Sequence, residues 1–228
     1  MPDSFVVTGG ARGVGAEIVA VLRAAGNHVE VIDVLDGQDA ASAADAREAA
    51  ASAEAHGPLR GWVNNAAVFD DALVHLDPAA ALATITANLA PAVVGTSIAV
   101  LHFIEHARSG SIVNVSSHQA QRPVAGALPY ATAKAAIEGL TRATAVDYGR
   151  QGIRANAVAL GTIETERMSQ GVRSAAGEYH ALGRFGSASE VASTVAWLLS
   201  DASSFVTGAV IPVDGGRAVF GRDPEERL

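Results

Sequence analysis

The chain has no cysteine among its 228 residues, and its acidic side chains outnumber its basic ones. The absence of cysteine excludes disulfides, thiolate catalysis and cysteine-ligated metal, and it suits a reducing compartment. The formal net charge of -8 leaves no basic surface of the kind that binds nucleic acid or an anionic membrane. A small molecule is therefore the expected ligand.

The sequence also lacks the basic start of a signal peptide, since MPDSFVVTGG carries an acid there and too short an apolar run. Residues 78–101 contain no charge and are long enough to cross a bilayer. Thr84, Asn88, Pro91 and further polar residues interrupt this stretch, which favours a buried core helix over a membrane span. We therefore expect a cytoplasmic protein.

Short apolar runs alternate with longer helical ones along the chain. The predicted strands are SFVVTGG, HVEVIDV, LRGWVNN, GSIVNVSS, IRANAVAL and AVIPVDGG, and the predicted helices span 13–25, 39–55, 78–106, 130–150 and 189–199. Almost wholly apolar strands separated by helices indicate a parallel sheet covered on both faces. Without a linker or an internal repeat, residues 1–228 are predicted to form one α/β domain with a doubly wound, Rossmann-type sheet.

A glycine-rich segment, TGGARGVG at 8–15, follows the first predicted strand and opens the first helix. Glycine lets the backbone turn sharply and approach a pyrophosphate, which then lies at the positive end of the helix. Asp33 ends the second strand, where a carboxylate accepts hydrogen bonds from an adenosine ribose and repels a 2′-phosphate. Arg12 argues the other way, because a guanidinium in this turn can bind that phosphate. The position of Asp33 favours NAD over NADP.

Further motifs follow in order, and together they resemble the classical-type short-chain dehydrogenase/reductase family nearly from end to end. They are TGGARGVG, NNAA at 64–67, Asn88 in TANLA, Ser117 in NVSS, Tyr130 and Lys134 in YATAK, and the C-terminal SDASSFVTGAVIPVDGG. The resemblance implies an NAD(P)-dependent oxidoreductase that interconverts a secondary alcohol and a ketone by hydride transfer. It also implies a symmetric homo-oligomer, a dimer or a tetramer, in which subunits meet through the helices that carry Asn88 and Tyr130.

Tyr130 and Lys134 stand one helical turn apart on one helix face. A carbonyl that accepts hydride needs a proton donor, the reverse oxidation needs a base, and one phenol can serve both directions. Its reference pKa is about 10, so the neighbouring ammonium, with an oxidised nicotinamide nearby, is expected to stabilise the phenolate and lower that pKa. By resemblance Tyr130 is the acid/base, and Lys134 tunes it and binds the nicotinamide ribose.

Two more residues complete the catalytic set that the resemblance implies. The family places its serine thirteen residues before the tyrosine, which selects Ser117 over Ser116 as the group that binds the substrate oxygen. Asn88 lies mid-helix, where asparagine is unfavourable, and the family uses this residue to hold a water that links the lysine to solvent. His118, which follows Ser117, is expected either to line the pocket or to be solvated.

The remaining cofactor contacts carry over by position. They are Gly9, Arg12, Gly13, Val14 and Gly15 in the turn, Asp33, Asp36, Asn64 and Ala66 toward the adenosine, Tyr130 and Lys134 at the nicotinamide ribose, and Gly161, Ile163 and Thr165 at the carboxamide. His102 and His106 have an i, i+4 spacing that can bind metal. No third ligand is evident in the sequence, so no metal site is predicted.

The chain departs from the family pattern most clearly between the second strand and NNAA. About 20 residues are missing there, which correspond to a crossover helix and most of the family's third strand. We therefore predict a six-stranded sheet with the second strand at its edge and a more open adenine site. A strand near residues 34–40 would refute this prediction.

Smaller departures concern the turn, the loops and the lid. Ala67 and Leu160 stand where the family usually has glycine and proline, so a looser turn is expected after Leu160. The segment that acts as a substrate lid in the family, about 165–184, is short and polar. Two alternatives stay open: a non-catalytic dinucleotide-binding sensor or interaction protein on the same fold, and an NADPH-dependent ketoreductase.

Overall fold

The computed structural model describes residues 2–70, 72–164 and 176–221. Its strands are β1 (Ser4–Thr8), β2 (His28–Ile32), β3 (Leu59–Asn64), β4 (Gly110–Ser117), β5 (Ile153–Leu160) and β6 (Val210–Val213). Its α-helices are α1 (Gly13–Ala24), α2 (Ala43–His56), α3 (Pro78–Glu105), α4 (Leu128–Tyr148), α5 (Ala176–Tyr179) and α6 (Ala188–Leu199). Thr165 and much of the expected lid lie outside the described residues.

The six strands form one parallel sheet in the order β2-β1-β3-β4-β5-β6. The prediction of a six-stranded sheet with the second strand at its edge is confirmed. Residues Val34–Asp36 form a turn of 3₁₀-helix instead of a third strand. The Asp33 side chain accepts a hydrogen bond from the Leu35 amide, and Gly37 adopts a left-handed φ of 77°. These two features turn the chain away from the sheet directly after β2.

Helices cover both faces of the sheet, as the nearly continuous apolar strands predict. On one face α2, α3 and α4 enclose Trp62 and Phe103. On the other face α1 and α6 pack against each other and bury Ile18, Val195 and Leu198. This is the predicted doubly wound arrangement, and it leaves the carboxyl ends of the strands free to carry a ligand site.

Local capping sets where the helices begin. Ser42 caps α2 by accepting a hydrogen bond from the Asp45 amide, so this helix starts later than the predicted residue 39. α4 starts at Leu128, before the predicted residue 130, because proline is tolerated in the first turn of a helix. At α6, Ser187 and Glu190 form a capping box.

Within the described chain, α3 is long and apolar enough to span a bilayer. It nevertheless packs against α2, α4 and β3, and it buries Thr84, Asn88 and Phe103. A buried asparagine needs hydrogen-bond partners, and Asn88 finds them in the Val68 backbone and the Thr84 carbonyl. The helix is therefore the core element that the sequence predicts.

Candidate active site

The turn between β1 and α1 has the shape that its glycines predict. Gly9 and Gly13 adopt left-handed φ angles of 66° and 57°. A Cβ at Gly15 would lie 2.0 Å from the Gly9 carbonyl oxygen, so only glycine fits there. The space beside Gly13 is open, and the N-cap residue Arg12 makes no side-chain cap to the described residues. The first amides of α1 thus face open space, which fits a pyrophosphate.

Two polar residues that sequence reasoning missed fasten this turn to β3. The Thr8 hydroxyl accepts hydrogen bonds from the Asn65 and Ala66 amides at 3.0 and 3.1 Å. The Asn65 side-chain amide donates to the carbonyls of Thr8 and Gly9 at 3.1 and 2.9 Å. These bonds fix the two loops on either side of the cofactor cleft, and their only sequence signal is the second asparagine of NNAA.

Asp33 lies where the sequence places it, at the end of β2 and beside the glycine-rich turn. Its buried carboxylate accepts one hydrogen bond from the Ala11 amide and one from the Leu35 amide, both at 3.0 Å. Each carboxylate oxygen keeps a further lone pair for a ribose hydroxyl. Arg12 and Asp36 are both exposed near the same edge of the sheet. The adenosine side of the cleft is therefore bordered by Asp33, with solvent beyond it.

The Asn64 side chain is engaged in buried hydrogen bonds. Its amide nitrogen donates to Asn114 Oδ1 at 2.8 Å, and its oxygen accepts from the Trp62 indole at 2.9 Å. Further bonds reach the Ala92 carbonyl and the Thr96 hydroxyl. This buried network joins β3, β4 and α3, so a cofactor contact at Asn64 is left to its backbone. Ala66, by contrast, lies directly against Gly9.

The structure brings Ser117, Tyr130 and Lys134 together where β4 ends against the start of α4. The Ser117 hydroxyl accepts a hydrogen bond from the Gln119 amide at 3.2 Å, and its side chain lies close enough to the Tyr130 phenol to lower the pKa of that phenol. Lys134 Nζ donates to the Val115 carbonyl at 2.8 Å and lies 5.4 Å from the centroid of the Tyr130 ring. Both side chains are buried, with 8% of Tyr130 and 2% of Lys134 exposed. Ser116 instead bonds to Glu138 and the Lys134 carbonyl, away from the phenol.

Burial changes the pKa values of both Tyr130 and Lys134. Burial raises the pKa of Tyr130 to about 12, and the Ser117 hydrogen bond opposes this rise only in part. Burial also lowers the pKa of Lys134 to about 8. In the protein alone, desolvation disfavours the phenolate more than the Ser117 side chain stabilises it, and the lowering expected beside an oxidised nicotinamide stays a prediction.

Asn88 is hydrogen-bonded to the loop after β3, and that loop contacts Tyr130. Its side chain accepts a hydrogen bond from the Val68 amide and donates one to the Val68 carbonyl, both at 3.1 Å. Its amide also donates to the Thr84 carbonyl at 3.0 Å. The next residue, Phe69, has its ring centroid 5.1 Å from that of Tyr130. Asn88 thus positions the loop that covers the phenol, a contact that the sequence did not reveal.

The expected carboxamide segment begins at the end of β5. Leu160 belongs to the regular ladder and pairs with Ser117 and Val213, and the looser turn expected after it stays a prediction. A Cβ at Gly161 would lie 2.7 Å from Asp214 Cα. Ile163 forms a bridge with Gly186, and the Thr162 amide donates to His180 Nε2 at 3.2 Å. The segment from Gly161 to Ile163 is therefore bonded to β6 on one side and to His180 and Gly186 on the other.

A cavity of about 270 Å³ opens beside Ser117. His118 lines it, which decides between the two placements expected for this residue. Burial first, and Arg217 second, lower the pKa of His118 to about 4, although Asp214 opposes them. A neutral imidazole therefore faces a pocket whose other walls include Arg122, Pro123, Val124, Glu178, Tyr179, Arg217 and Phe220.

The chain is similar to known proteins along most of its length. A family model described as enoyl-(acyl carrier protein) reductase matches residues 10–218. The chain is 34% identical to 2,5-dichloro-2,5-cyclohexadiene-1,4-diol dehydrogenase of Sphingobium indicum, over 93% of this chain and 96% of that protein. It is 36% identical to acetoacetyl-CoA reductase of a Synechocystis species, over 92% and 94%.

Solved structures agree with these matches. A short-chain type dehydrogenase/reductase of Mycobacterium ulcerans superposes with a TM-score of 0.87 at 27% identity, over 95% of this chain and 90% of that one. The crystal structure of levodione reductase superposes with a TM-score of 0.84 at 29% identity, over 95% and 97%. With these matches and the motifs in place along the fold, the chain belongs to the short-chain dehydrogenase/reductase family.

Proposed function

We propose that the protein is an NAD(H)-preferring oxidoreductase that interconverts a secondary alcohol and a ketone by hydride transfer. The observation that carries this proposal is the placement of the buried Tyr130 phenol next to the Ser117 side chain, with the buried Lys134 Nζ 5.4 Å from the phenol ring. Two neighbouring hydroxyls at the carboxyl edge of the sheet can bind one substrate oxygen between them. Asn88 supports the arrangement by holding the loop that packs on Tyr130.

The roles of the residues follow from their contacts. Ser117 holds the substrate oxygen, and Tyr130 gives it a proton in reduction or removes one in oxidation. Lys134 holds a positive charge near the phenol, and the Val115 carbonyl fixes the position of its Nζ. When bound, the nicotinamide supplies or accepts the hydride. A phenol with a pKa of about 12 suits proton donation to an alkoxide, whereas its use as a base requires more positive charge nearby.

The preference for NAD is supported by Asp33. Its carboxylate is anchored by the Ala11 amide at the edge of the cleft, so a 2′-phosphate would meet a fixed negative charge. The residues that would hold the dinucleotide are the turn at Gly9, Gly13, Val14 and Gly15, with Asp33 at the ribose and Tyr130 and Lys134 at the nicotinamide end. Arg12 is the residue that would favour NADPH instead.

We further propose that the enzyme is a cytoplasmic homo-oligomer. Apolar side chains are exposed on α3 (Leu82, Val93, Leu101 and Ile104) and on α4 (Leu128 and Val146). Exposed apolar side chains spread along two adjacent helices are typical of a protein interface. The partner that fits is a second copy of the chain, and the formal net charge of -8 argues against nucleic acid and anionic membranes as partners.

Fluorescence titration with NADH and NADPH tests the cofactor assignment. We expect tighter binding of NADH, and we expect Asp33→Ala to remove the difference between the two. Tighter binding of NADPH would contradict the NAD preference and assign the discrimination to Arg12. Failure to bind either dinucleotide would favour a non-catalytic protein on the same fold.

A screen of cyclic and linear secondary alcohols with NAD tests the chemistry. Tyr130→Phe is expected to lower the rate by about 10²–10⁴-fold, because only the proton-transferring hydroxyl is removed. Tyr148→Phe, on the same helix, is the matched control and should keep the wild-type rate. Equal rates for wild type and Tyr130→Phe would overturn the assignment of the acid/base.

A further inference from the structure

Three potential metal ligands meet on the helix-covered face of the edge strand, away from the cleft. His28 and Glu30 are two positions apart on β2, so their side chains share one face of the strand. His56, the last residue of α2, lies over that face. One ring nitrogen of each histidine and one oxygen of Glu30 all lie within 4.8 Å of one another.

The hydrogen bonds around this cluster prepare His56 to act as a ligand. His56 Nδ1 lies 2.9 Å from the Ser52 carbonyl, which can only accept, so Nδ1 carries the proton. The lone pair of the neutral ring is therefore on Nε2. A backbone carbonyl that fixes the tautomer in this way is the usual outer partner of a metal-binding histidine.

Glu30 is held in a similar manner. The Ser52 hydroxyl donates to Glu30 Oε1 at 2.6 Å, and His28 Nε2 lies 2.8 Å from the same oxygen. Burial alone would raise the pKa of Glu30, but these hydrogen bonds and the two histidines lower it overall. A single residue of α2, Ser52, thus orients both Glu30 and His56.

The two imidazoles are stacked, with ring centroids 3.9 Å apart and planes 7° from parallel. One cation cannot lie in both ring planes at that spacing, so one ring must turn for both nitrogens to bind. His28 is the ring that turns, because a shared cation replaces its bond to Glu30 Oε1 while the Ser52 carbonyl keeps His56 in place, and the broad χ2 torsion of histidine makes this rotation inexpensive.

In a second group, Glu54, His102 and His106, one potential ligand atom of each residue also lies within 4.8 Å of the others. It supplies the third potential ligand that the sequence did not show for His102 and His106. However, Arg108 Nη1 contacts both oxygens of Glu54 at 3.0 and 2.8 Å, and this fixed positive charge repels a cation. Among the described residues, the hydrogen bonds and ion pairs of the His28, Glu30 and His56 side chains involve no arginine or lysine.

We propose that His28, Glu30 and His56 form a binding site for a divalent transition-metal ion, with Zn²⁺ as the reference ion. Two imidazoles and a carboxylate suit Zn²⁺, which takes such ligands at about 2.0–2.2 Å and completes its coordination with water. The site is structural. It fastens the edge strand to α2, where the helix otherwise packs through the small side chains of Ala46, Ala49, Ala50 and Ala53.

Calorimetric titration of the EDTA-treated, full-length protein with ZnCl₂ tests the site. We expect a single Zn²⁺ per chain and a higher melting temperature with the ion than without it. His56→Ala should weaken binding by about tenfold or more, because it removes an exposed ligand. Glu30→Gln, which keeps the shape of the side chain, should weaken binding as well. His106→Ala is the matched control and should bind as the wild type does.

Two results would overturn the proposal. One is the absence of Zn²⁺ binding by the wild type. The other is binding that survives His56→Ala and Glu30→Gln but is lost in His106→Ala, which would place the ion at the Glu54 group. Circular dichroism of each variant separates lost binding from lost folding.

Discussion

Lys134 is the only lysine in the chain, and its side chain is almost completely buried. Burial lowers the pKa of Lys134 from its ordinary 10.5 to about 8. The folded protein is therefore destabilised by this charge below about pH 8, and the cost disappears as the pH rises from about 8 toward 10.5. The site keeps a charge near the phenol at the expense of stability.

Lys134→Met should consequently increase the free energy of unfolding near neutral pH by about 2 kcal/mol while abolishing turnover. The gain combines the removal of a desolvated charge with the loss of one hydrogen bond to the Val115 carbonyl. Urea denaturation at about pH 7 and about pH 10 measures it, and the gain should shrink at the higher pH.

Tyr130→Phe provides the comparison, since it removes the phenol and leaves the ammonium. Its stability should change with pH between about 8 and 10 as the wild type does. A Lys134→Met variant that is less stable than the wild type at neutral pH would show that the bond to Val115 outweighs the desolvation of the charge.

The family resemblance pointed to Tyr130, Lys134 and Ser117, and the helical spacing of the first two predicted that they share one helix face. The pKa values of these groups could not be predicted, because the desolvation comes from elements distant in sequence. For the same reason the buried hydrogen bonds of Asn64 could not be predicted, because their partners lie on α3 and β4. The contact of Asn88 with Val68 could not be predicted either, because the loop after β3 approaches α3 only in the folded chain.

Among the elements, α2 is joined to its neighbours through Glu54. Its carboxylate accepts hydrogen bonds from Arg108 after α3, from His102 on α3 and from the Leu59 amide at the start of β3. Burial alone would raise the pKa of Glu54, but the bonds from Arg108, Leu59 and His102 hold it at about 2. One carboxylate thus connects two helices and a strand.

Because the folded pKa of Glu54 lies below its ordinary 4.5, this group contributes stability above about pH 4.5 and loses that contribution as the pH falls toward 2. Glu54→Gln should lower the free energy of unfolding at neutral pH by about 1–2 kcal/mol and flatten the loss of stability in acid. Glu48→Gln, at an exposed position of the same helix, is the control. Equal acid profiles for wild type and Glu54→Gln would contradict this account.

At the scale of the whole molecule, the alternation of apolar strands and helices predicts a parallel sheet between two layers of helices. The segment missing between β2 and β3 places β2 at the edge of that sheet. The edge position of β2 was predictable, because the missing segment corresponds to the strand that lies beyond it in the family. Association of chains was not predictable from periodicity, because an exposed apolar side chain alone does not define an interface. Whether chains associate through α3 and α4 is therefore decided by experiment.

Val93 on α3 and Val146 on α4 are exposed in the single chain, Val146 to 80%. If these helices form the subunit interface, a glutamate at either position would bury an unpaired charge there, whereas in a monomer it would lie in water. We expect the wild type to elute with twice or four times the mass of one chain, and the double variant Val93→Glu/Val146→Glu to elute closer to the mass of the monomer.

Phe205→Glu, at a fully exposed position outside both helices, is the control. Light scattering after size exclusion measures the masses, and an unchanged mass for the double variant would place the interface elsewhere.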